Sequence, residues 1–334
     1  LANPYVARAF VDKSADTIEW VKEKGIEFEY IGPGGPGGPL TWHVIDGPGH
    51  GAYLIKIFHE KFKTMGVDVR TEFAGVELIM DNGKVVGALA EDLDSGDTYR
   101  ITAKAVIVAT GGYANNKEML KEYTIYPDVI MVGNKGKDGD GIKMAWAAGA
   151  AQEGMGVFQS YRPGLPGYAT ASHMLAAARQ PYLWVDKNGR RFTDESIVII
   201  WPHSTNALIK AGGTMFSVFD ENTLQHFKKN GIDVQIGEWV LAGTKLDKFD
   251  EEFNAEVGKK RYAFKANSIE DLAKQTGMDP KVLKATIEEN NAFAAANRDD
   301  TFAKNSAYLK PVKKGPYSAV MMLPAALGTL GGVK

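Results

Sequence analysis

"AVIVATGGYANN" runs from Ala105 to Asn116. An apolar run, Ala105 to Val108, leads through Ala109 and Thr110 to paired glycines and then to a polar stretch. The composition predicts a buried strand over Ala105–Ala109, of the near-continuous Val/Ile kind found in sheets covered on both faces. Glycine at 111 and 112 marks a place where a backbone or a ligand comes closer than a Cβ would allow. In open α/β sheets ligands collect at the carboxyl ends of strands, so this exit is a binding candidate; a tight strand exit without a ligand is the plain alternative.

Working outward, the preceding residues read as a helix that feeds a small antiparallel meander. Ala52–Met65 places Leu54, Ile57, Phe58 and Phe62 on one face. Strands are expected at Val67–Thr71, Val76–Met80, Val85–Ala90 and Tyr99–Thr102, with hairpin turns at Asp81-Asn82-Gly83 and Ser95-Gly96. Nearer the start, Asn3-Pro4 opens a helix whose apolar stripe (Val6, Phe10, Val11, Ile18, Trp20, Val21) suggests an interruption near Lys13-Ser14. "IGPGGPGGPL" (Ile31–Leu40) is a Gly/Pro loop. Downstream, Gly141–Gly149 reads as a helix, Tyr182–Phe192 as a hairpin around Lys187-Asn188-Gly189, and Ser268–Asn291 as two short helices, the first capped by Ser268-x-x-Asp271.

The totals bound the function classes. The chain has 334 residues, about two domains' worth. With 44% apolar and 24% charged residues it can build a sizeable core. A net charge of −2 points to no nucleic-acid surface, and no stretch nears the roughly 20 apolar residues of a membrane helix. Cysteine is absent, which removes disulfides, thiolate metal sites, Cys nucleophiles and any Cys-x-x-Cys-His haem attachment within these residues.

Two glycine signals are decoys. Gly47-Pro48-Gly49-His50-Gly51-Ala52 fits G-x-G-x-x-A before a helix, with Glu72 at a spacing suited to a ribose. Pro48 and His50 crowd that turn, and "LTWHVID" is too polar for a central parallel strand, so a nicotinamide-binding dehydrogenase stays an alternative only. "GKDGDGI" (Gly136–Ile142) lacks the acids of an EF-hand at its first and last positions. Asp140-Gly141 opening a helix suits either a cap or a polar ligand contact.

Taken together, Gly66–Leu120, "GKDGDGIKMAWAAGA" (Gly136–Ala150), "DKNGRRFTDE" (Asp186–Glu195) and "LGTLGGVK" (Leu327–Lys334) resemble the flavoprotein subunits of fumarate reductases and succinate dehydrogenases, with flavocytochrome and ketosteroid dehydrogenase relatives. The resemblance implies an α/β fold with an α+β cap: a partial FAD-binding, Rossmann-like domain with a β-meander over 1–155, a fumarate reductase-type cap domain over 156–325, and a return to the FAD domain over 326–334. It implies FAD as cofactor, passing along Ala109, Thr110, Gly111 and Gly112, with Gly75 at the adenine edge and Asp140 near the flavin-binding surface. Gly49, His50 and Gly51 fall in the glycine loop that relatives place near the flavin ring. The family's N-terminal G-x-G-x-x-G strand and its C-terminal G-x-Y-A-x-G-E segment are not found within these residues, so the chain reads as an internal piece expected to bind FAD weakly or not at all alone.

The substrate positions depart from the family pattern. Its proton-donating Arg falls on Ile199, its Thr-Glu pair on Met174-Leu175, one His on Gly328 and another on Tyr161. Dicarboxylates need cations and paired donors, so the expectation is a reductase or dehydrogenase of an activated C=C bond other than fumarate or succinate, with a substrate of intermediate to apolar character. A phenol can donate or accept a proton, which makes Tyr161 a candidate for that role, a buried tyrosine bonded to a carbonyl being the alternative. Arg162 is a candidate anchor for a carboxylate or carbonyl, and His173, in "ATASHML", a further candidate. Arg190 and Arg191 are expected to pair with Asp186, Asp194 or Glu195 as surface or cap-domain ion pairs. Trp184, Trp201 and Met174 read as core or pocket lining. The electron donor lies outside these residues, a cytochrome domain or subunit being one source. A non-catalytic relative that kept the fold and serves as a binding subunit is the reading from a different class.

Overall fold

In the computed structural model, which describes residues 3–33, 39–237 and 240–334, the first element is helix α1 (Pro4–Glu23), whose N-terminus is capped by the Asn3 side chain on the Tyr5 amide at 3.0 Å. The expected break near Lys13-Ser14 does not occur. The Ser14 and Thr17 hydroxyls bond back to the carbonyls of Val11 and Lys13, so these residues are satisfied inside the helix. Strands β1 (Phe28–Pro33) and β2 (Leu40–Ile45) pair antiparallel, and α2 (Gly51–Thr64) follows. Of the Gly/Pro loop read at Ile31–Leu40, residues 34–38 lie outside the described residues.

Helix α2 ends in a Schellman closure: Gly66 takes φ +72° and the Val67 amide returns to the Phe62 carbonyl at 3.0 Å. That amide is therefore unavailable to a ladder, and the strand expected at Val67–Thr71 does not form. The meander does: β3 (Phe73–Asp81), β4 (Lys84–Asp92) and β5 (Thr98–Thr102) lie in that order. Asn82 and Gly83 carry φ of +47° and +76°, the two positive values that a two-residue hairpin turn requires to follow the strand twist.

The chain divides into two compact units, residues 1–74 with 91–97, and residues 75–90 with 98–334; the division crosses the meander. In the first unit Trp20 meets Phe58, which stacks on Phe62, and Ile26 and Val44 are its buried apolar residues. Helix α1 buries none of its residues.

The second unit continues with α3 (Lys117–Tyr123), β6 (Ile130–Met131), α4 (Asp140–Ala147), β7 (Gln152–Glu153) and β8 (Phe158–Ser160). Next come α5 (His173–Ala178), β9 (Trp184–Asp186), α6 (Trp201–Lys210), β10 (Met215–Phe219), α7 (Glu221–Lys229) and α8 (Phe249–Lys259). It closes with β11 (Ala263–Ala266), α9 (Ile269–Thr276), α10 (Pro280–Ala296), β12 (Tyr317–Met322), β13 (Ala325–Thr329) and β14 (Gly332–Val333). The turn read at Lys187-Asn188-Gly189 forms, but its returning half makes no strand: β9 pairs instead with β10, where the apolar match is better. Ser268 caps α9 through the Asp271 amide, as read, while α10 runs past Asn291 to Ala296.

A four-stranded antiparallel sheet, ordered β11-β12-β10-β9, organises this unit. All five residues of β10 are buried, and they alternate between two cores. Met215 and Phe219 join Trp184, Val320 and Met322 on one face, with Leu175, Phe227, Phe249 and Phe253 packed over them. Phe216 and Val218 join Val185, Ala319 and Phe264 on the other, covered by Leu272, Leu283 and Ile287. Apolar at four of its five positions, with Ser217 the exception, β10 is a strand buried on both sides.

Arg191 finds one of its expected partners, Glu195, and more besides. Arg191 bonds Glu195 at 2.9 Å and Asp299 at 2.8 Å, and Lys304 joins Glu195 at 3.0 Å, all four side chains being at most 2% exposed. This is a buried network, not a surface pair, and Asp299 and Lys304 come from far along the chain. Arg190 gives only its backbone amide to Asp186.

A second, smaller assembly closes the unit. β13 pairs parallel with β6 and antiparallel with β8, and β14 pairs antiparallel with β7. Tyr113, Met119, Leu120, Ile142 and Met155 form the core beside it.

Candidate functional site

The opening stretch of the sequence lies at this second assembly, and not as a strand. Among the described residues no strand pairs with Ala105–Ala109, and Ile107 is 90% exposed. A strand exists through its neighbour, and apolar composition alone supplies none. The amides and carbonyls of residues 105–112 make no hydrogen bond within the described residues. An extended backbone with unengaged polar groups ends here on Gly111, whose φ of +79° is the left-handed region that favours glycine.

What approaches Gly112 is the returning chain. Thr329 Oγ1 occupies the space a Cβ on Gly112 would need, and it accepts the Tyr113 amide at 2.9 Å. Tyr113 is fully buried and its hydroxyl donates to the Met155 carbonyl. Gly141, next to Asp140 in the first turn of α4, is contacted in the same way by Thr110 Oγ1 and Val108. Gly75 faces the Met144 side chain at 3.5 Å. On the open side of Gly111 lies the Lys137 side chain, 3.6 Å from where a Cβ would be, its ammonium 3.9 Å from the same point on Gly328. Asp140 is exposed and pairs with Lys143 at 3.8 Å. Thr110 thus meets the first turn of α4 beside Asp140, and Gly75 meets the same helix at Met144.

Tyr161 and Arg162 follow β8 directly. The Tyr161 amide donates to Ala325 of β13 at 2.8 Å, which fixes the segment beside the returning strand. Its ring is buried and stands edge-on to Trp201 at 5.3 Å. Its hydroxyl accepts from Arg162 Nη1 at 3.4 Å, so its partner is a cation and not a carbonyl. Arg162 also donates Nε to the Val198 carbonyl at 3.1 Å and lies over the Trp201 ring at 5.0 Å. A second guanidinium, Arg179, stands 5.7 Å from the Tyr161 ring centre and donates Nε to the Pro163 carbonyl at 2.7 Å. Burial lowers the pKa of both arginines, Arg179 to about 10, with the charge of Arg162 adding to the fall.

His173 is not brought to this group by any hydrogen bond. Its Nδ1 accepts the Lys248 amide at 3.2 Å beside Asp247. The N-terminus of α5 is already occupied by a carboxylate, since Glu252 accepts from Ser172 at 2.6 Å and from the Met174 amide at 2.8 Å. Met174 and Leu175 are fully in the core, as is Trp184, while Trp201 is half-buried. In the first unit, Gly47, Gly49 and His50 all take positive φ, and His50 Nδ1 lies 2.8 Å from the Ile45 carbonyl. Gly51 begins α2, and β2 before it belongs to a two-stranded antiparallel hairpin, not to a parallel βαβ unit. Sequence reasoning missed Arg179 and Thr329. The signal for Arg179 was present, as the one charge inside "MLAAARQPYLW" (174–184).

The family model described as an FAD binding domain matches residues 1–334. The chain belongs to that family. It is 33% identical over 344 residues to a vinyl phenol reductase of Lactiplantibacillus plantarum, covering 100% of this chain and 69% of that protein. It is 28% identical to an NADH:acrylate oxidoreductase of Vibrio harveyi, covering 98% of this chain and 31% of that protein. The open conformation of a flavocytochrome c3 fumarate reductase shares the fold, with a TM-score of 0.68 at 24% identity, over 96% of this chain and 52% of that one. FAD is therefore the cofactor, and the α/β fold with its flavoprotein architecture is as the sequence implied. The unengaged backbone of 105–112 and the left-handed Gly111 fit such a group, offering donors and acceptors beside the Lys137 side chain. Among the described residues no cluster could hold a metal ion, and no helix is long and apolar enough to cross a membrane.

Proposed function

We propose that the chain is part of an FAD-dependent reductase of activated carbon–carbon double bonds whose substrate is neither fumarate nor succinate. FAD, when bound, supplies the hydride chemistry; Ala109, Thr110, Gly111, Gly112 and Gly75 hold it by their backbone groups, with Asp140 at the same face. Tyr161 donates the proton to the second carbon of the double bond, its hydroxyl positioned by Arg162. Trp201, edge-on to the Tyr161 ring, shields the reacting carbons from water. Residues 1–155 serve the cofactor and 156–325 the substrate, with 326–334 returning to the cofactor side.

The observation that carries this reading is the Tyr161 phenol, buried, bonded to a cation and, among the described residues, hydrogen-bonded to no carboxylate. An acid held that way can deliver a proton away from bulk water. The relatives named for vinyl phenol and acrylate support a conjugated alkene. The resemblance puts Met174, Leu175 and Ile199 at the positions of the family's donors to a dicarboxylate, and the first two are core residues.

The test uses the FAD-loaded protein, reduced anaerobically and mixed with 4-vinylphenol, acrylate or fumarate while the visible flavin spectrum is followed. Reoxidation by either of the first two and not by fumarate is the expected result. Reoxidation by fumarate alone overturns the substrate reading. A reduced flavin that none of a panel of alkenes reoxidises places the protein with the non-catalytic relatives.

A further inference from the structure

The second unit holds a cavity of about 200 Å³ lined by Tyr182, Asn222, Thr223, His226, Lys310 and Pro311. Three segments wall it, and each is fixed from behind. The Tyr182 ring is buried and stacks on Phe227 at 5.6 Å. Helix α7 brings Asn222, Thr223 and His226 to one face, His226 lying four and three residues beyond the other two. The strap 310–314 is tied along its length. Asn290 donates to the Lys310 carbonyl at 2.9 Å, and Asn291 both accepts the Val312 amide at 2.7 Å and donates to its carbonyl at 2.9 Å. The amides of Lys313 and Lys314 donate to Asp220, the residue that caps α7. Strap and helix are thus joined through one carboxylate, and the cavity between them is formed before any ligand arrives.

A second carboxylate organises the polar side. Asp233 accepts from the Tyr182 hydroxyl at 2.7 Å and from His226 Nε2 at 2.9 Å, with the Lys310 ammonium 3.5 Å away. Burial pushes this carboxyl up, but the Tyr182 and His226 bonds and the Lys310 charge pull it below the usual carboxylate range. Asp233 is therefore an ionised acceptor already shared among three protein donors. What is left for a ligand is donors. Lys310 has further N–H groups, and the side chains of Asn222 and Thr223 make no hydrogen bond among the described residues. Lys313 and Lys314 on the same strap are exposed and, among the described residues, have no carboxylate partner. Flat apolar surface comes from the Tyr182 ring and Pro311, and the Lys310 ammonium lies 5.8 Å from the centre of that ring. An apolar cavity of about 150 Å³ admits benzene, so this one has room for a single ring and a small charged group.

We propose that this cavity is a binding site for a small carboxylate carried on a single ring. Lys310 pairs with the carboxylate, Asn222 and Thr223 donate to it, and the ring lies against Tyr182 and Pro311. The site shares no residue with those assigned to FAD or to the proton donor, and it does not rest on the function proposed above. An inorganic anion meets the cation but leaves the apolar surface uncovered, and a neutral ring does the reverse. A ring that bears a carboxylate uses both.

The experiment observes His226 directly. Imidazole resonances of the FAD-loaded protein are recorded by NMR, at constant pH and ionic strength, against increasing benzoate, benzamide and inorganic phosphate. The His226 signal is assigned by its loss in His226→Gln. Benzoate is expected to move that signal saturably, at concentrations about tenfold lower than benzamide or phosphate require, since each of these lacks one half of the recognition. Lys310→Met should weaken benzoate about tenfold and leave benzamide unchanged, with the other imidazole signals in place as the check that the fold is intact. A titration in which benzoate moves the His203 signal of α6 and leaves His226 still puts the ligand elsewhere and overturns the proposal, as does one that moves neither. Equal binding of benzamide overturns the role of charge, equal binding of phosphate the role of the ring, and undiminished benzoate binding by Lys310→Met the assignment of the cation; any of these sinks the site as proposed.

Discussion

The Thr329 hydroxyl fills the space beside Gly112 and accepts the Tyr113 amide at 2.9 Å, across a separation of 216 residues. One threonine thus explains the second glycine of the pair and satisfies the first amide after it. Gly112→Ala is expected to destabilise the protein by about 1–3 kcal/mol, because Oγ1 belongs to a paired strand and has no room to retreat. In a Thr329→Ala background the same change should cost less, and a double-mutant cycle by urea denaturation reads the difference; strict additivity would show that the two residues are not in contact.

Acid should act through the Arg191 network. Burial pushes the Asp299 carboxyl up, but Arg191 and the amides of Phe302 and Thr301 pull it further down, to about 2. Its folded pKa is below the unfolded value of about 3.9, so the stabilisation is present above that pH and is lost as pH falls from about 4 toward 2. The amount is roughly 2 kcal/mol. Asp299→Asn should flatten the stability profile over that window, and should also destabilise the protein at neutral pH by leaving Arg191 with Glu195 alone. An unchanged acid limb in the variant would assign acid sensitivity elsewhere.

Tyr161→Phe removes one oxygen from the proposed proton donor. In the FAD-loaded protein kcat should fall by about 10² or more, with KM little changed and the flavin spectrum intact. A variant that retains full kcat would show that the proton comes from another group.

The indole N–H of Trp184 donates to the carbonyls of both Ala178 and Gln180 at 3.1 Å, inside a fully buried site. Trp184→Phe keeps much of the apolar contact but strands the Ala178 carbonyl, that of Gln180 keeping the Tyr182 amide at 2.8 Å, with an expected cost of about 1–3 kcal/mol. Trp184→Ala adds a cavity and should cost roughly 3–5 kcal/mol, measured by the shift in urea midpoint at constant slope.

Local chemistry was legible in the sequence; long-range partnership was not. Asn82-Gly83 and Ser268 announce a turn and a cap because the residues that need the special backbone or the side-chain bond are adjacent in the chain. "MFSVF" at 215–219 is read correctly as a doubly covered strand only once both cores are seen. Ala105–Ala109 looks equally buried and is exposed, because pairing depends on a neighbour that composition does not reveal. The same holds for charge: Glu195, four residues on, was a legible partner for Arg191, whereas Asp299 and Lys304 join that network only through the fold. The glycine pair was rightly read as a close approach, but Thr329, its visitor at position 112, comes from near the other end of the chain.

The late strand β13 sets an order of events on the ribosome. Ala325 and Ala326 pair with Ile130 and Met131, Leu327 packs its carbonyl where Gly133 has no side chain, and Gly331 does the same against Gly154. The four-stranded sheet needs nothing beyond Met322, so its two cores can condense while these residues are still in the exit tunnel. The glycine-bearing face joins near and far parts of the chain, Thr110 meeting Gly141 and Thr329 meeting Tyr113 across 216 residues, and the second kind of contact forms only once β13 has emerged. A translational pause just before Ala325 would leave a chain whose four-stranded sheet can form but whose β6 and β8 have no partner, and that nascent species is where chaperones should be found.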